Sequence, residues 1–471
     1  MDFNRGKFVS PLFALLLFIS FAGLCGCATL PTVSEMIDTV PVIDEPPQIV
    51  SAGGLLSKEE SRAIMERLKG PGAPIDILQR HIEVVESISG SRLISGNKVT
   101  LLIDGPAVYS AMFDAIRNAE DHINIETFTF ENDEAGRKFS DLLLQKQSEG
   151  VRVNVIYDSA GSFRTPTSFF QRLRDGGINV VEYNPLTSLA ILGKWQLVHR
   201  DHRKIMVVDG KVAITGGVNI SRNYFTHVAS VDASEKEGTR VPWCDTDVKI
   251  EGPAVAEFQK VFIGTWKSQK GPALSDNNYF PELQDMGTSL VQIIGSTQGQ
   301  MNRMTFVLYI SALTFAGKSI HMTNAYFVPD YQILTALTDA AQRGVDVRIV
   351  LPKVSIHPNP TALYAGQYYY SGLLRSGVKL YERCNATLHA KTAVIDGVWS
   401  TVGSTNMDFL SFLRNDEVNT IILNREFAAG MEKMFEADIA ESDMILWEEW
   451  KERPLWPRIT EWFAHLLSSW L

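Results

Sequence analysis

The feature that most constrains the fold of this chain is an internal repeat, in which the same alternation of secondary structure occurs twice. Residues 119–130 place an alanine, an isoleucine and a phenylalanine at the spacing that residues 316–327 repeat. Two further helix–turn–strand segments recur in the same order, residues 149–158 as 343–352 and residues 174–183 as 375–381. A single match of this kind can arise by chance wherever helices and strands alternate, but three matches in the same order favour duplication. We therefore expect two similar halves.

Strands and helices alternate within each repeat. Runs rich in β-branched residues are typical of strands, and the stretches between them have the length of ordinary helices. In the first copy the predicted strands are residues 99–103, 123–130 and 151–156, and the predicted helices are residues 107–119 and 136–150. This alternation predicts an α/β fold with a largely buried sheet.

Each copy ends on the same set of polar residues. The first set is His202, Lys204, Asp209 and Asn219, and the second is His389, Lys391, Asp396 and Asn406, with Gly217 and Ser404 at matching positions. Because side chains alternate along a strand, we expect each histidine to share a face with its lysine. An imidazole beside an ammonium suits phosphoryl chemistry, since one supplies a nucleophile or proton and the other binds a phosphate oxygen. Such pairs predict a site without a metal ion or other cofactor.

Both sets match the pattern HxKx4Dx6G(G/S)xN in full, and in this they resemble the phospholipase D superfamily over residues 97–450. The resemblance implies two similar α/β halves, each with a mixed β-sheet flanked by helices, packed as a pseudo-dimer around one interfacial site. One histidine would attack phosphorus to give a phosphohistidine while the other protonates the leaving alcohol. By resemblance we favour His202 as the nucleophile and His389 as the acid and base.

The resemblance also implies roles for the other motif residues. The phosphate oxygens would be bound by Lys204, Lys391, Asn219, Asn406 and Ser404. Asp209 and Asp396 belong to the catalytic motifs, although the family implies a largely structural role for them. In related enzymes a carboxylate orients the histidine of the opposite half, which would pair Asp245 with His389 and Glu417 with His202. The alternative for these two carboxylates is a position at a strand edge, facing solvent.

Three further stretches resemble bacterial cardiolipin synthases, namely residues 249–256, residues 326–329 with 341–347, and residues 453–456. That resemblance implies transfer of a phosphatidyl group between phospholipids such as phosphatidylglycerol. The alternatives are a phospholipase D-type hydrolase, a less favoured exported nuclease, and a membrane scaffold without activity. A formal charge of −10 argues against a nucleic-acid partner, which requires a cationic surface.

The N-terminal residues predict export and a lipid anchor. Arg5 and Lys7 precede an apolar run over residues 11–24, which is short for a membrane span but suits a signal peptide. Cys27 follows a small residue, which resembles the bacterial lipobox and implies cleavage of residues 1–26 and diacylation of this cysteine. The alternatives are a plain signal peptide or an uncleaved anchor. Ala28, in place of an aspartate, favours the outer membrane or the periplasmic face of the envelope.

The remaining boundaries follow from composition. We expect a membrane tether and N-terminal segment at residues 27–95, the two halves at 96–285 and 286–450, and an amphipathic helix at 451–471. Apolar residues of this last helix form one stripe at helical spacing. The stripe suits either a membrane interface, where tryptophan is favoured, or packing on the core. Cys244 and Cys384 are compatible with a disulfide between the halves or with two free thiols.

Overall fold

The computed structural model describes residues 30–42, 45–69, 76–186, 199–225, 241–295 and 303–470. Its strands are β1 (Ile49–Ser51), β2 (Gly54–Leu55), β3 (Leu93–Ile103), β4 (His122–Thr127), β5 (Arg152–Asp158), β6 (Asn179–Tyr183), β7 (Ile205–Val208), β8 (Val212–Gly216), β9 (Trp243–Cys244), β10 (Thr246–Glu251), β11 (Ser289–Gly295), β12 (Ser319–Asn324), β13 (Asp346–Pro352), β14 (Lys379–Arg383), β15 (Thr387–Leu388), β16 (Lys391–Ile395), β17 (Trp399–Gly403), β18 (Val418–Leu423) and β19 (Ser442–Met444).

The helices of the described residues are α1 (Val33–Thr39), α2 (Lys58–Lys69), α3 (Arg80–Ser89), α4 (Asp104–Arg117), α5 (Glu134–Ser148), α6 (Thr167–Asp175), α7 (Val255–Ser268), α8 (Met304–Thr314), α9 (Tyr331–Gln342), α10 (Pro360–Gln367), α11 (Tyr370–Arg375), α12 (Phe409–Leu413), α13 (Arg425–Ala440), α14 (Trp447–Lys451) and α15 (Leu455–His465). None of these helices is long and apolar enough to cross a membrane.

The two halves contain the same sheet. In the first half the strands lie in the order β3-β10-β8-β7-β4-β5-β6, with β4–β5 and β5–β6 parallel and the other pairs antiparallel. In the second half the order is β11-β18-β17-β16-β12-β13-β14, with parallel pairs at the corresponding places. The identical topology confirms the predicted α/β fold with two similar halves, each built on a mixed sheet.

The halves share a sheet edge and a core. Strand β3 pairs antiparallel with β11, so the two sheets continue into one another. One buried apolar cluster combines Val207 of β7 and Val248 of β10 with Val394 of β16 and Ile422 of β18. Because β-branched residues fit a pleated buried surface, these strands pack against each other across the halves as a pseudo-dimer.

Equivalent helices begin at equivalent caps. The Asp133 side chain accepts a hydrogen bond from the backbone of Gly136 at the start of α5, and Asp330 accepts one from Gln332 at the start of α9. A short carboxylate at this position satisfies a backbone N–H that the helix itself cannot pair. The repeat therefore preserves both the helix and the residue that starts it.

The described part of residues 27–95 differs from the expected tether. Strand β1 pairs parallel with β3, and His81 of α3 lies 3.1 Å from the Ser311 hydroxyl of α8. The His81 ring also packs edge-on against Trp399 of β17, at 5.4 Å between ring centroids. The apolar face of α3 drives this packing, so the segment from Thr32 onward belongs to the compact body of the molecule.

The two cysteines are free thiols. Cys244 lies in β9, which pairs with β15, and its side chain belongs to a buried apolar cluster. Cys384 follows β14, where its sulfur lies 3.8 Å from Lys353 Nζ. The disulfide is therefore not formed, and the free-thiol alternative is confirmed.

Candidate active site

The two motif histidines lie immediately before equivalent strands. His202 precedes β7 and His389 precedes β16, so the histidines are not on the strands, where alternation had placed them. Each backbone N–H is held by the opposite half: His202 donates to the carbonyl of Asp416 at 2.9 Å, and His389 donates to that of Cys244 at 2.8 Å. These bonds fix both histidines at the boundary between the halves.

Each imidazole contacts a carboxylate that the other half supplies. His202 Nδ1 lies 3.1 Å from both carboxylate oxygens of Glu417, and His389 Nδ1 lies 2.7 Å from Asp245 Oδ2. Asp245 and Glu417 are 2% and 0% exposed, so neither faces solvent. A carboxylate on Nδ1 fixes the ring and places the proton of a neutral imidazole on that atom, which leaves the Nε2 lone pair available.

The two motif lysines are buried beside the histidines. Lys204 Nζ donates to the carbonyl oxygen of His202 at 2.5 Å, and Lys391 makes the same bond to His389. Burial lowers the pKa of Lys204 to about 7 and that of Lys391 to about 8, although Glu417 and Asp245 oppose the shift. Two desolvated cations are an environment that an anionic phosphodiester would stabilise.

The two carboxylates differ electrostatically. Burial raises the pKa of Asp245 to about 6, although Lys391 opposes this. Burial acts in the same direction on Glu417, but contacts with His202 and Lys204 outweigh it and lower the pKa. Glu417 is therefore ionised near neutral pH, whereas the Asp245 carboxyl takes up a proton at a higher pH than Glu417 does.

Burial also lowers the pKa of both histidines. For His202 the negative charge of Glu417 opposes the shift. For His389 the two lysines and His202 act in the same direction as burial, so its pKa lies well below the usual value. Without a bound anion both rings are neutral near pH 7, the form in which one can attack phosphorus.

The three polar residues expected to bind phosphate, Asn219, Asn406 and Ser404, differ in their hydrogen-bond partners. Asn219 accepts a hydrogen bond from the backbone N–H of Thr129 at 3.2 Å and donates one to Tyr224 at 3.2 Å. Among the described residues, Asn406 Oδ1 is buried without a hydrogen-bond partner. The Ser404 hydroxyl donates to Glu417, so its place is behind the carboxylate instead of on the expected phosphate.

The motif aspartates lie at the far ends of β7 and β16 from the histidines. Asp209 accepts hydrogen bonds from the backbone N–H groups of residues 120–122 at 2.8–2.9 Å. Asp396 does the same for residues 317–319 at 2.7–3.2 Å. Both have positive φ angles, 52° and 54°. They hold the turns that lead into β4 and β12 and are not among the side chains gathered around the histidines.

Sequence reasoning missed several aromatic residues of the site. The Tyr224 hydroxyl lies 3.1 Å from His389 Nδ1, and the Trp243 ring lies 5.0 Å from the His389 ring. Phe128 packs edge-on against His202 at 5.0 Å between centroids. The position five residues after Asn219 holds Tyr224, but the matching position in the second copy is a serine, so the repeat gave no signal for it.

A cleft of about 530 Å³ leads to this constellation. It is bordered by Asn219, Tyr224, Trp243, Phe163, Arg164, Thr387 and residues 355–358. Its walls combine aromatic and aliphatic surface with Arg164, two asparagines, His357 and the carboxyl group of Glu131. This mixture of apolar and polar surface suits an amphiphilic phosphodiester. Among the described residues, no group of three or more His, Cys, Asp or Glu side chains is arranged to hold a metal ion.

Comparison with known proteins gives consistent matches. The family described as "Cardiolipin synthase, PLD-like domain" matches residues 112–234 and 309–439. A cardiolipin synthase from Geobacillus sp. (strain WCH70) is 34% identical over 84% of this chain and 77% of the relative. One from Listeria monocytogenes serotype 4a (strain HCC23) is 35% identical over 80% of this chain and 76% of the relative.

A solved structure shares the fold. The phosphatidylserine synthase of Haemophilus influenzae Rd KW20 superposes with a TM-score of 0.58, covering 79% of this chain and 95% of that one. At 14% sequence identity, this likeness concerns the arrangement of strands and helices. The likeness therefore supports the α/β architecture described above.

Proposed function

The chain belongs to the cardiolipin synthase family of phospholipase D-like phosphatidyltransferases, and from this premise we propose that it moves a phosphatidyl group between phospholipids through a phosphohistidine. The observation that carries the proposal is the paired geometry, in which each histidine is held by a carboxylate of the opposite half beside a buried lysine. The donor class we propose is phosphatidylglycerol or a similar phospholipid, and the acceptor is the glycerol hydroxyl of a second one.

The reaction proceeds in two displacements. In the first, Nε2 of His202 attacks phosphorus, the bond from phosphorus to the headgroup oxygen breaks, and His389 gives its proton to that oxygen. In the second, the acceptor hydroxyl attacks the phosphohistidine, its proton passes to His389, and the phosphorus–nitrogen bond breaks. A histidine that serves first as acid and then as base meets both proton requirements.

The electrostatic difference between the two pairs supports these roles. Phosphorylated His202 is cationic, and the ionised Glu417 on its Nδ1 stabilises that charge. The pair of His389 with Asp245 has to carry a proton in one step and release it in the other. A carboxyl whose pKa burial raises to about 6 suits this exchange near neutral pH.

The first prediction concerns products. Incubating the purified protein with phosphatidylglycerol vesicles is expected to give cardiolipin and free glycerol in equal amounts, in the presence or absence of EDTA. Lipid mass spectrometry and a glycerol assay measure both. Phosphatidic acid as the main product would instead support the hydrolase alternative. Loss of activity with EDTA, restored by a divalent ion, would contradict a mechanism that relies on the two lysines for charge.

We further propose that the C-terminal helix contacts the membrane that holds the substrate. The apolar residues of α15 and the turn after it are 37–74% exposed, namely Leu455, Trp456, Ile459, Trp462, Phe463, Leu466 and Trp470. At 3.6 residues per turn these positions fall within an arc of about 120°. The inward face is instead small and polar, with Ala464 and with Glu461 paired to Arg453 at 2.6 Å. This orientation is the reverse of that found when a helix packs on a core.

The position of α15 relative to the cleft supports a bilayer as its partner. The helix packs on α10, which follows directly on residues 355–358 of the cleft wall. On the other side of the cleft, Phe163 is 69% exposed. The seven outward side chains carry no charge, and three are tryptophans, which are favoured at the bilayer interface.

The second prediction tests this contact. The variant Trp456→Ala with Phe463→Ala is expected to lower the rate on phospholipid vesicles by about 10–100-fold, because two large apolar contacts with lipid are lost. The rate on a short-chain phospholipid below its micelle concentration should change by less than about 2-fold. The control is Leu55→Ala, which removes an equally exposed apolar side chain in β2. Equal losses on both substrates would assign the helix a purely structural role.

The lipid anchor at Cys27 stays a proposal, because residue 27 lies outside the described residues. Its support is the apolar run and the small residue that precede it. The third prediction is that Cys27→Ser abolishes incorporation of labelled palmitate and leaves an uncleaved precursor in the producing cells. Persisting label in this variant would contradict the proposed site of lipidation and with it an envelope location through this anchor.

A further inference from the structure

A buried ionic cluster lies directly beside His202. The guanidinium of Arg203, 0% exposed, places its Nε 2.9 Å from both Glu126 Oε1 and Asp201 Oδ1, and another nitrogen 3.1 Å from Asp416 Oδ2. Glu126, Asp201 and Asp416 are all 1% exposed or less. The first two carboxylates belong to the first half and the third to the second half, so the cluster spans the boundary on which the site is built.

Asp416 connects this cluster to the reacting histidine. Its side chain accepts a hydrogen bond from the Tyr183 hydroxyl at 2.9 Å, and its other carboxylate oxygen lies 3.1 Å from His199 Nε2. Its backbone carbonyl accepts the N–H of His202, and the next residue, Glu417, contacts His202 Nδ1. A fixed Asp416 therefore sets both the main-chain and the side-chain contact of His202.

The equivalent place in the second half is apolar. By the spacing of the two motifs, the positions of Asp201, Arg203 and Asp416 are taken by Leu388, Ala390 and Cys244, which form a buried cluster. The backbone contact is the same, since His389 donates to the carbonyl of Cys244. The same backbone contact between the halves is thus made here with apolar side chains around it.

Ionic groups are costly to bury, and apolar residues of similar volume often replace them without loss of stability. Because the second half uses apolar residues for the same docking, the ions around Arg203 require a purpose beyond docking. We propose that the Arg203 cluster is a positioning unit, which holds Glu417 on His202 and keeps an excess of negative charge beside that imidazole when it becomes cationic. The proposal rests on the proposed function, since the cation arises in the phosphohistidine step.

The charge balance around His202 sets the sign of the expected effect. The charged and titratable groups on the segments packed around it are Glu417, Asp416, Asp201, Arg203, Glu126, Lys204, Lys391, Asp245 and His389, together with His199 and Tyr183 on Asp416 and the Arg200–Asp158 pair beside Asp201. Removing the negative charge of Asp416 favours the neutral ring, so the pKa of His202 falls. The acid limb of a profile of kcat/KM against pH, which reports the neutral nucleophile, then moves to lower pH.

The test is Asp416→Asn, which keeps the side-chain shape. We expect kcat to fall by about 10–100-fold with KM within about 3-fold, and the acid limb to move down by roughly half a pH unit or more. Arg203→Lys, which keeps the charge but loses the fork of contacts, should lower kcat and leave the limb in place. The matched control is Asp346→Asn, which removes a carboxylate paired with Arg348 at 2.6 Å on the outer side of the second half.

The outcomes separate this proposal from the proposed function. A lower rate with an unmoved limb in Asp416→Asn would reduce the cluster to a structural role and overturn the proposal. Titration of ¹⁵N-labelled His202 by NMR measures the same charge effect without any turnover, so a protein that transfers no phosphatidyl group can still support it. If Asp416→Asn does not fold, Tyr183→Phe replaces it, because this variant removes the hydroxyl that donates to Asp416. Its kcat is expected to fall by about 3–10-fold. An unchanged kcat in Tyr183→Phe would overturn the proposal.

Discussion

Replacing either His202 or His389 with alanine is expected to reduce phosphatidyl transfer by about 10³-fold or more, because one change removes the nucleophile and the other the proton donor. The double variant should be no slower than either single variant, since residues that act as a unit are not additive. Steady-state transfer between phospholipids, measured with a radiolabelled donor, gives all three rates.

The histidine variants also separate the two roles. His389→Ala enzyme quenched in SDS at neutral pH is expected to carry the labelled phosphatidyl group on His202, because the departing headgroup oxygen can still take its proton from water, whereas the acceptor hydroxyl has lost the base that activates it. The control is His321→Gln, a buried histidine that pairs with Glu432 at 2.6 Å away from the cleft. Label on residue 389 in His202→Ala, with none in His389→Ala, would reverse the assignment of nucleophile and acid.

Replacing the orienting carboxylates is the second large effect that we expect. Asp245→Asn and Glu417→Gln should each lower kcat by about 10²–10⁴-fold with little change in KM. Both side chains contact Nδ1, at 2.7 Å and 3.1 Å. A carboxamide that presents its NH₂ group to Nδ1 forces the proton onto Nε2, the atom that attacks phosphorus or exchanges the proton.

The tautomer explanation makes a further distinction. We expect the melting temperatures of Asp245→Asn and Glu417→Gln to fall by no more than a few degrees. A larger fall would indicate that the substitution had disrupted the local structure. The matched control is Asp443→Asn, an exposed carboxylate paired with Lys353 at 2.6 Å. Variants Asp245→Asn or Glu417→Gln with wild-type kcat would contradict the crossed pairing as a catalytic feature.

The repeat in the sequence was sufficient to predict the fold. Residues 119–130 and 316–327 occupy equivalent places, with Ile123 in β4 and Ile320 in β12, both fully buried. The repeat works as a predictor because buried strands allow few residue types, and a duplicated core keeps its spacing. The antiparallel pairing of β3 with β11 was not predictable, since it joins the repeats and therefore has no counterpart within either one.

Candidate site residues could be predicted from the sequence where both halves carry the same residue at the same offset, and not where the halves differ. The histidines, lysines and asparagines recur at fixed offsets, so the sequence alone indicates them as candidates. Tyr224 and Arg203 have no equivalents in the second copy, where Ser411 and Ala390 stand, so spacing gave no signal for their contacts. The packing of α3 was not predictable either, because composition alone indicated a membrane tether over residues 27–95.

The crossed carboxylates bear on how such a chain can have arisen. A polypeptide equivalent to one half would hold a histidine and a carboxylate that cannot meet within it, so it could form these contacts only as a symmetric pair. A pair of identical copies must surround both histidines with identical neighbours. A single chain that contains both halves is free of that constraint, which permits ionic residues beside His202 and apolar ones beside His389.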